Sequence, residues 1–418
     1  MTALLDLHDS TLRLWHADTC VESPGYAWFD GSQFRFGLPA MRTQRRTPRA
    51  VNTRYWSQLS TQPLSPPLGQ ARHGADLVHA HLQELHQLAS HPKSVLLTAP
   101  GSMDREALSL LLGIVEHLPF DIAGLVHRSA VIGAASGLSS GLHVELQLHQ
   151  TLITPFSAEG DSVTATASQV IPGEGMLALQ DRLATAIAAR FVAQTRFDPL
   201  RSADAEQSLY DALPLALTTL QNQTETQIAI SGYSARITRD DLRGVGAAYG
   251  RMLEPLLPSD TPVVLESPLK LLPGLTLAVS HQNATAEVIA SVIADCQSEL
   301  LQAPEQLALN RRVPIVHSEA KTAETSVLSR EAAPAPAPTP TPTPTHILVG
   351  SKAQRIGETT ALANGTVLQR AQAGVTVANS SANLRVNSKL AEANQLLEAG
   401  DSLDDDTGFT GLLIVVED

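Results

Sequence analysis

Gly137-Leu138-Ser139-Ser140-Gly141 has the G-x-S-x-G spacing that can lift a nucleophilic serine onto a sharp turn for acyl transfer. That turn has to join a strand to a following helix. Here a small-residue helical run precedes it and an alternating strand run follows, so the spacing is read as incidental. His79, His81, His86 and His91 are dense enough to suggest a metal. Two ligands on one helix face need a spacing of three or four, which this series lacks, so these histidines are read as packed or solvated. His143 and His149 flank Glu145 on an alternating segment and share a face, without a third ligand at a clear spacing. No metal site is expected.

A second kind of chemistry is electrostatic. The chain carries a formal net charge of −13, yet no acid stands between Asp30 and Asp76, while Arg35, Arg42, Arg45, Arg46, Arg49, Arg54 and Arg72 all fall there. Arginines interleaved with Phe34, Phe36, Tyr55 and Trp56 could bind phosphate, RNA or an acidic protein. They could equally pair with the chain's own excess acids. Arg42, Arg45, Arg46, Arg49 and Arg54 are taken as the candidate partner or anion surface, with an acidic protein preferred over nucleic acid because the overall charge repels the latter.

These residues need elements to hold them. Leu4-Leu-Asp-Leu-His and Thr11-Leu-Arg-Leu-Trp-His alternate around Asp9-Ser10, and Tyr26–Phe29 with Gln33–Phe36 looks like a second hairpin, so two successive hairpins should form a small antiparallel sheet. Helical runs are expected near 74–89, 104–117, 129–136, 176–195, 203–219, 238–256 and 284–301, with buried strands at 93–100, 122–126 and 261–266. The run from Leu142 to Thr154 is expected to be one strand turning into a hairpin with 162–170. The result is two sheet-plus-helix halves in tandem. Cys20 and Cys296 are too few for a disulfide framework and are read as buried small hydrophobes. No apolar run approaches a membrane span, and the acidic amino terminus does not read as a signal peptide, so a cytoplasmic, bacterial protein is expected.

The order of elements and several local strings resemble the actin-like ATPase superfamily, in particular the nucleotide-binding domain of DnaK-type heat-shock chaperones. Leu5–Thr11 is similar to the first phosphate hairpin, I-D-L-G-T-T-N in the family. Residues 94–108 are similar to the strand-to-helix passage V-I-T-V-P-A-x-F, and 123–135 to the passage with N-E-P-T-A-A-A. The resemblance implies a nucleotide-binding remnant at Asp6, Ser10, Glu145, Gly173 and Gly175. The family's chemistry needs glycines, because triphosphate oxygens sit against backbone N–H groups and a Cβ blocks the approach. This chain has His8 at the first glycine, Glu145-Leu-Gln-Leu-His-Gln where the family has D-L-G-G-G-T, and Leu265–Pro273 without the glycines of G-G-x-x-R-x-P. Asp6 and Glu145 are accordingly read as acids at strand ends beside turns. ATP with magnesium is weighed and not favoured, and no cofactor is expected.

Six prolines at alternate positions from Pro334 to Pro344 make a stiff polyproline II spacer, spanning about 35–40 Å at roughly 3.1 Å per residue. Beyond it, Val375–Ser388 and Leu397-Glu-Ala-Gly400-Asp401 resemble the closing strands of a forkhead-associated β-sandwich, although Ile356-Gly357 lacks the arginine of that family's phosphothreonine reader. Asp404-Asp405-Asp406 is read as a solvated loop. The expected fold class is α/β: an actin-like, ribonuclease-H-like duplicated body over 1–320 (halves 1–141 and 142–320), a linker over 321–345, and a small all-β sandwich over 346–418. The expected function is a non-catalytic adaptor or chaperone-like scaffold, a pseudo-ATPase that binds a protein partner. The alternatives are an active chaperone-like ATPase with unorthodox phosphate loops, and an RNA- or phosphate-binding module using Arg35–Arg72.

Overall fold

Alternating apolar residues on either side of Asp9-Ser10 fold the amino terminus into a hairpin, β1 (Ala3–Asp6) against β2 (Leu12–His16), extended by β3 (Thr19–Ser23). On its other side β1 pairs in parallel with the apolar strand β4 (Ser94–Ala99), and β4 with β5 (Asp121–His127). The five-stranded order is β5-β4-β1-β2-β3. The same scheme recurs downstream. The strand β6 (Ser140–Leu146) is antiparallel to β7 (Gln150–Glu159), which is antiparallel to β8 (Ser162–Ala165); β6 is also parallel to β9 (Val263–Glu266), and β9 to β10 (His281–Ala284). The core of this second sheet runs β10-β9-β6-β7-β8, with Arg312–Pro314 added beside β8 and Gln169–Pro172 beside β7.

Helices sort by face. α1 (Gly74–Leu88) and α2 (Arg105–Val115) cover the outer face of the first sheet in a core around Leu5, Leu77, Leu82 and Leu97. α3 (Arg128–Ser136) lies with α7 (Ala286–Leu300) between the two sheets, among Leu4, Leu96, Phe156 and Val264. α4 (Met176–Thr195), α5 (Ala203–Asn222) and α6 (Arg239–Leu253) cover the outer face of the second sheet. Caps fix their starts: Asp104 accepts from Ala107 N at 2.8 Å, and Thr238 with Asp241 closes a capping box.

The structure, a computed structural model, describes residues 2–315, 344–349, 352–362, 364–371, 374–379, 383–386, 389–391, 395–397, 401–406 and 409–414. The chain divides into two compact units, Met1–Lys321 and Thr322–Asp418. Of the proline-rich linker expected over 321–345, residues up to 343 lie outside the described ones. In the carboxy-terminal unit every described regular element is a strand. A six-stranded and a four-stranded antiparallel sheet share one core of Ile347, Leu368, Val375, Val377, Leu403 and Leu413. Asp405 there is buried, not solvated, accepting from Asn364 Nδ2 at 2.7 Å.

Three expectations change. The first hairpin does not join the second in one sheet: Ala27–Phe29 pairs on one side with Phe34–Phe36 and on the other with Val51–Asn52 in a separate three-stranded sheet, because β1 takes the parallel β4 as its other neighbour. The run from Leu142 to Thr154 is a hairpin rather than a single strand, reversing at Gln147-Leu148-His149, where Gln147 N donates to Gln150 O at 3.0 Å. Cys20 is exposed on the edge strand β3, and Cys296 is buried.

Candidate functional site

Parallel strands in an α/β sheet bring their carboxyl ends to one edge, where ligands usually bind. In this body the ends of β1, β5, β6 and β9 converge, and each carries charge. Asp6 closes β1, Arg128 follows β5, Glu145 is the penultimate residue of β6, and Glu266 closes β9. All four side chains are buried. Asp6 Oδ1 accepts from Thr98 Oγ1 at 2.6 Å and from Arg128 Nε at 2.8 Å. The Arg128 Nη1 donates to Glu266 Oε1 and lies 3.4 Å from Glu145 Oε2. A single guanidinium thus faces three carboxylates.

The turns on either side complete the cluster. His8, in the β1–β2 turn, has its Nε2 2.9 Å from Glu266 Oε2 and 3.8 Å from Glu145 Oε1. Leu146 N donates to Glu266 Oε2 at 2.9 Å, and Gln147 Nε2 to Glu145 Oε1 at 2.8 Å. The Asp9 carboxylate accepts from Leu148 N at 2.8 Å, tying the first turn to the second. Behind the cluster, His143 Nδ1 meets Ser129 Oγ at 3.0 Å while its Nε2 lies 3.9 Å from Glu266.

Burial acts against every charge here, and the pairing decides the outcome. Burial alone would release the Arg128 proton, but Asp6, Glu266 and Glu145 hold its pKa well above the usual range. Burial pushes Glu266 up, and Arg128 and His8 outweigh it, leaving the carboxylate well below its usual range. Burial drives Glu145 up despite Arg128 and His8, and drives Asp9 to about 6. Against burial, Glu266 raises His8. The unpaired imidazoles go the other way: burial takes His143 to about 3 and His127 to about 4.

The sequence-derived residues separate into two groups. Asp6, Ser10 and Glu145 do come together; Asp6 and Glu145 stand at strand ends beside turns and are interior ion-pair members, because β4, β5 and β9 close around them. Gly173 holds a left-handed backbone at φ +79° with open space beside it, and Gly175 serves packing. Gly175 caps α4 with no room for a Cβ, which would stand 2.4 Å from Gln150 N. The first N–H groups of α4 are already taken, Met176 N by Gln147 O at 2.8 Å and Leu177 N by Leu148 O at 3.1 Å, so this helix terminus offers an anion little.

The basic stretch also divides. Arg45 pairs with Asp181 at 2.5 Å and with Glu206 at 3.4 Å and stacks 3.7 Å over Tyr210, and Arg46 pairs with Asp204 at 2.7 Å. These arginines fasten the segment after the one-turn helix Leu38–Met41 to α4 and α5. Arg42, Arg49 and Arg54 are exposed. Phe36, Tyr55 and Trp56 are core, gathered around the buried His81, which bonds Ser23 Oγ at 2.7 Å and Tyr55 OH at 2.8 Å. They are not available to stack on a ligand. Ser139 is exposed on a loop.

Arg128, His8 and Glu266 escaped the sequence reading as a set. One signal was visible: an arginine, flanked only by His127 and Ser129, set in the small and apolar passage Gly124–Ala135, where buried counter-ions must hold it. Beside the cluster a cavity of about 280 Å³ opens, lined by His8, Ser10, Arg13, Tyr26, Met41 and Met176 among others. Magnesium and a triphosphate do not fit this centre: the Arg128 guanidinium occupies the place a cation would take between Asp6 and Glu145, and His8 fills the first turn. Among the described residues, no trio of histidine, cysteine and carboxylate side chains is arranged to hold a metal ion. No protein-family model matches the chain, and no curated protein matches it significantly.

Proposed function

We propose that residues 1–320 are an actin/DnaK-like body that has exchanged nucleotide chemistry for an internal ion cluster, and that the protein acts as an adaptor or assembly scaffold for a protein partner. Two sheets of equal strand order and direction, with helices between and outside them, support the duplicated architecture. The observation that carries the functional reading is Arg128, whose guanidinium supplies permanently, among Asp6, Glu145 and Glu266, the positive charge that a metal ion would bring and remove. A cleft that already holds a fixed cation among its carboxylates has less electrostatic demand for such an ion. The exposed Arg42, Arg49 and Arg54 favour an acidic protein surface as partner. Titration of the full chain with magnesium and ATP tests the reading: flat heats are expected, and micromolar binding with turnover would overturn it in favour of a working ATPase. Among the described residues no helix is long and apolar enough to cross a membrane.

A further inference from the structure

The β1–β2 turn sets a hydroxyl, an imidazole and a carboxylate in series. Ser10 Oγ lies 2.7 Å from His8 Nδ1, and His8 Nε2 lies 2.9 Å from Glu266 Oε2. A carboxylate only accepts, so Nε2 carries the proton, Nδ1 of the neutral ring is an acceptor, and Ser10 O–H donates to it. The acid is itself fixed, by Leu146 N at 2.9 Å on the same oxygen and by Arg128 on the other. Burial falls along the series as a nucleophilic relay requires: Glu266 and His8 are buried, and Ser10 is partly exposed on the wall of the 280 Å³ cavity.

From this geometry we propose that Ser10, His8 and Glu266 form an acyl-transfer site for small esters, with Ser10 as nucleophile, His8 as general base and Glu266 as the positioning residue. Tyr26, Met41 and Met176 give the cavity an apolar wall for a short acyl chain, and Arg13, paired with Glu22 at 2.7 Å, lines the same cavity. The volume lies just under the about 300–1,000 Å³ that holds drug-sized ligands, which sets the substrate class as small. In the first step a lone pair of Ser10 Oγ bonds to the ester carbonyl carbon, its proton passes to His8 Nδ1, and the carbonyl π pair moves to oxygen. On collapse the ester C–O bond breaks, and the departing alkoxide takes the proton from Nδ1. Water repeats the sequence on the acyl-serine, giving acid, alcohol and free Ser10.

The molecule contains its own comparison. Ser129, His143 and the same Glu266 make a second series, at 3.0 and 3.9 Å, but Ser129 and His143 are fully buried, so no ester reaches them. The inference does not rest on the scaffold reading, which concerns nucleotide and is decided by the ATP titration. The test is labelling of the full chain with a small alkyl fluorophosphonate, followed by peptide mass mapping. Expected are one adduct on Ser10, its loss in Ser10→Ala, its retention in Ser139→Ala, and at least ~100-fold slower labelling in His8→Gln. His8 is faced by Glu266, Glu145, Arg128 and Asp9. Glu266→Gln should move the pH midpoint of labelling downward, a readout that a merely structural role would leave in place. An unlabelled native protein, or an adduct that survives Ser10→Ala, overturns the proposal; thermal melts of Ser10→Ala and the native chain, which should coincide, keep the comparison valid if His8→Gln fails to fold.

Discussion

The two sheets of the body have one strand plan and opposite electrostatic loads. At the end of the first strand each has an acid, Asp6 in one and Glu145 in the other. At the end of the fourth, Ala99 corresponds to Glu266, and just beyond the fifth, Arg128 corresponds to Thr285. The amino-terminal half therefore brings the guanidinium of Arg128 and the imidazole of His8, and the second half brings an acid pair with no guanidinium or ammonium of its own in the cluster. Strand ends can differ between two sheets of one strand plan at little cost to either core, because the side chains there meet one another rather than the covering helices. The difference here amounts to complementarity across the halves.

The sharpest way to break that complementarity is Arg128→Met. Three carboxylates would keep their burial and lose their shared counter-ion, so the unfolding free energy from denaturant titration should fall by about 3–5 kcal/mol. Adding Glu266→Gln should recover part of the loss. Recovery by neutralising an acid would mark the penalty as charge rather than volume.

Acid comes next. His81, His127 and His143 are buried neutral, with burial lowering them to about 3, about 4 and about 3 from 6.5. A histidine lowered in the folded state stabilises above its unfolded pKa and loses that contribution as pH falls toward the folded value. At pH 5 each should have lost about 2 kcal/mol. Asp9 has the reverse sign: raised to about 6, it favours the folded state as pH falls from about 6 to its unfolded value of 3.8. At pH 5 it should offset only about 1.4 kcal/mol. Thermal melts of the body between pH 7 and pH 5 should show a steep net loss, reduced in His81→Phe.

A smaller effect compares the two turns directly. Each is met closely by a glycine, Gly25 at 2.5 Å from Asp9 O and Gly175 at 2.4 Å from Gln150 N, measured from where a Cβ would stand. Alanine at either should cost about 1–3 kcal/mol by overpacking, read by melting temperature. Similar costs would show that both turns are equally confined. Smallest are the arginines: Arg45→Ala should cost about 1 kcal/mol through its ion pairs and the Tyr210 stack, whereas the exposed Arg49→Ala should stay within about 0.5 kcal/mol.

Helices and buried strands were legible because their apolar period is local; α4 runs over the whole expected interval from Met176 to Thr195. The Leu142–Thr154 reversal was not, since alternation continues through Gln147-Leu148-His149 with neither glycine nor proline to mark the turn. Phe36, Tyr55 and Trp56 read as a surface because arginines surround them in sequence, yet burial of large rings around His81 won in the fold. Asp6, Ser10 and Glu145 were found through a family likeness. Their partner Arg128 was not, as it lies 122 residues from Asp6 and 138 from Glu266. Contacts of that range leave no periodic trace.

Arg128 also decides what can be cut apart. A fragment of residues 1–141 would keep the arginine with Asp6 alone. A fragment of 142–320 would leave Glu145 and Glu266 side by side in a half-built interior with no counter-ion. Neither half is an autonomous folding unit by this arithmetic, and chain breaks near residue 141 should be tolerated only when both pieces are made together and find one another.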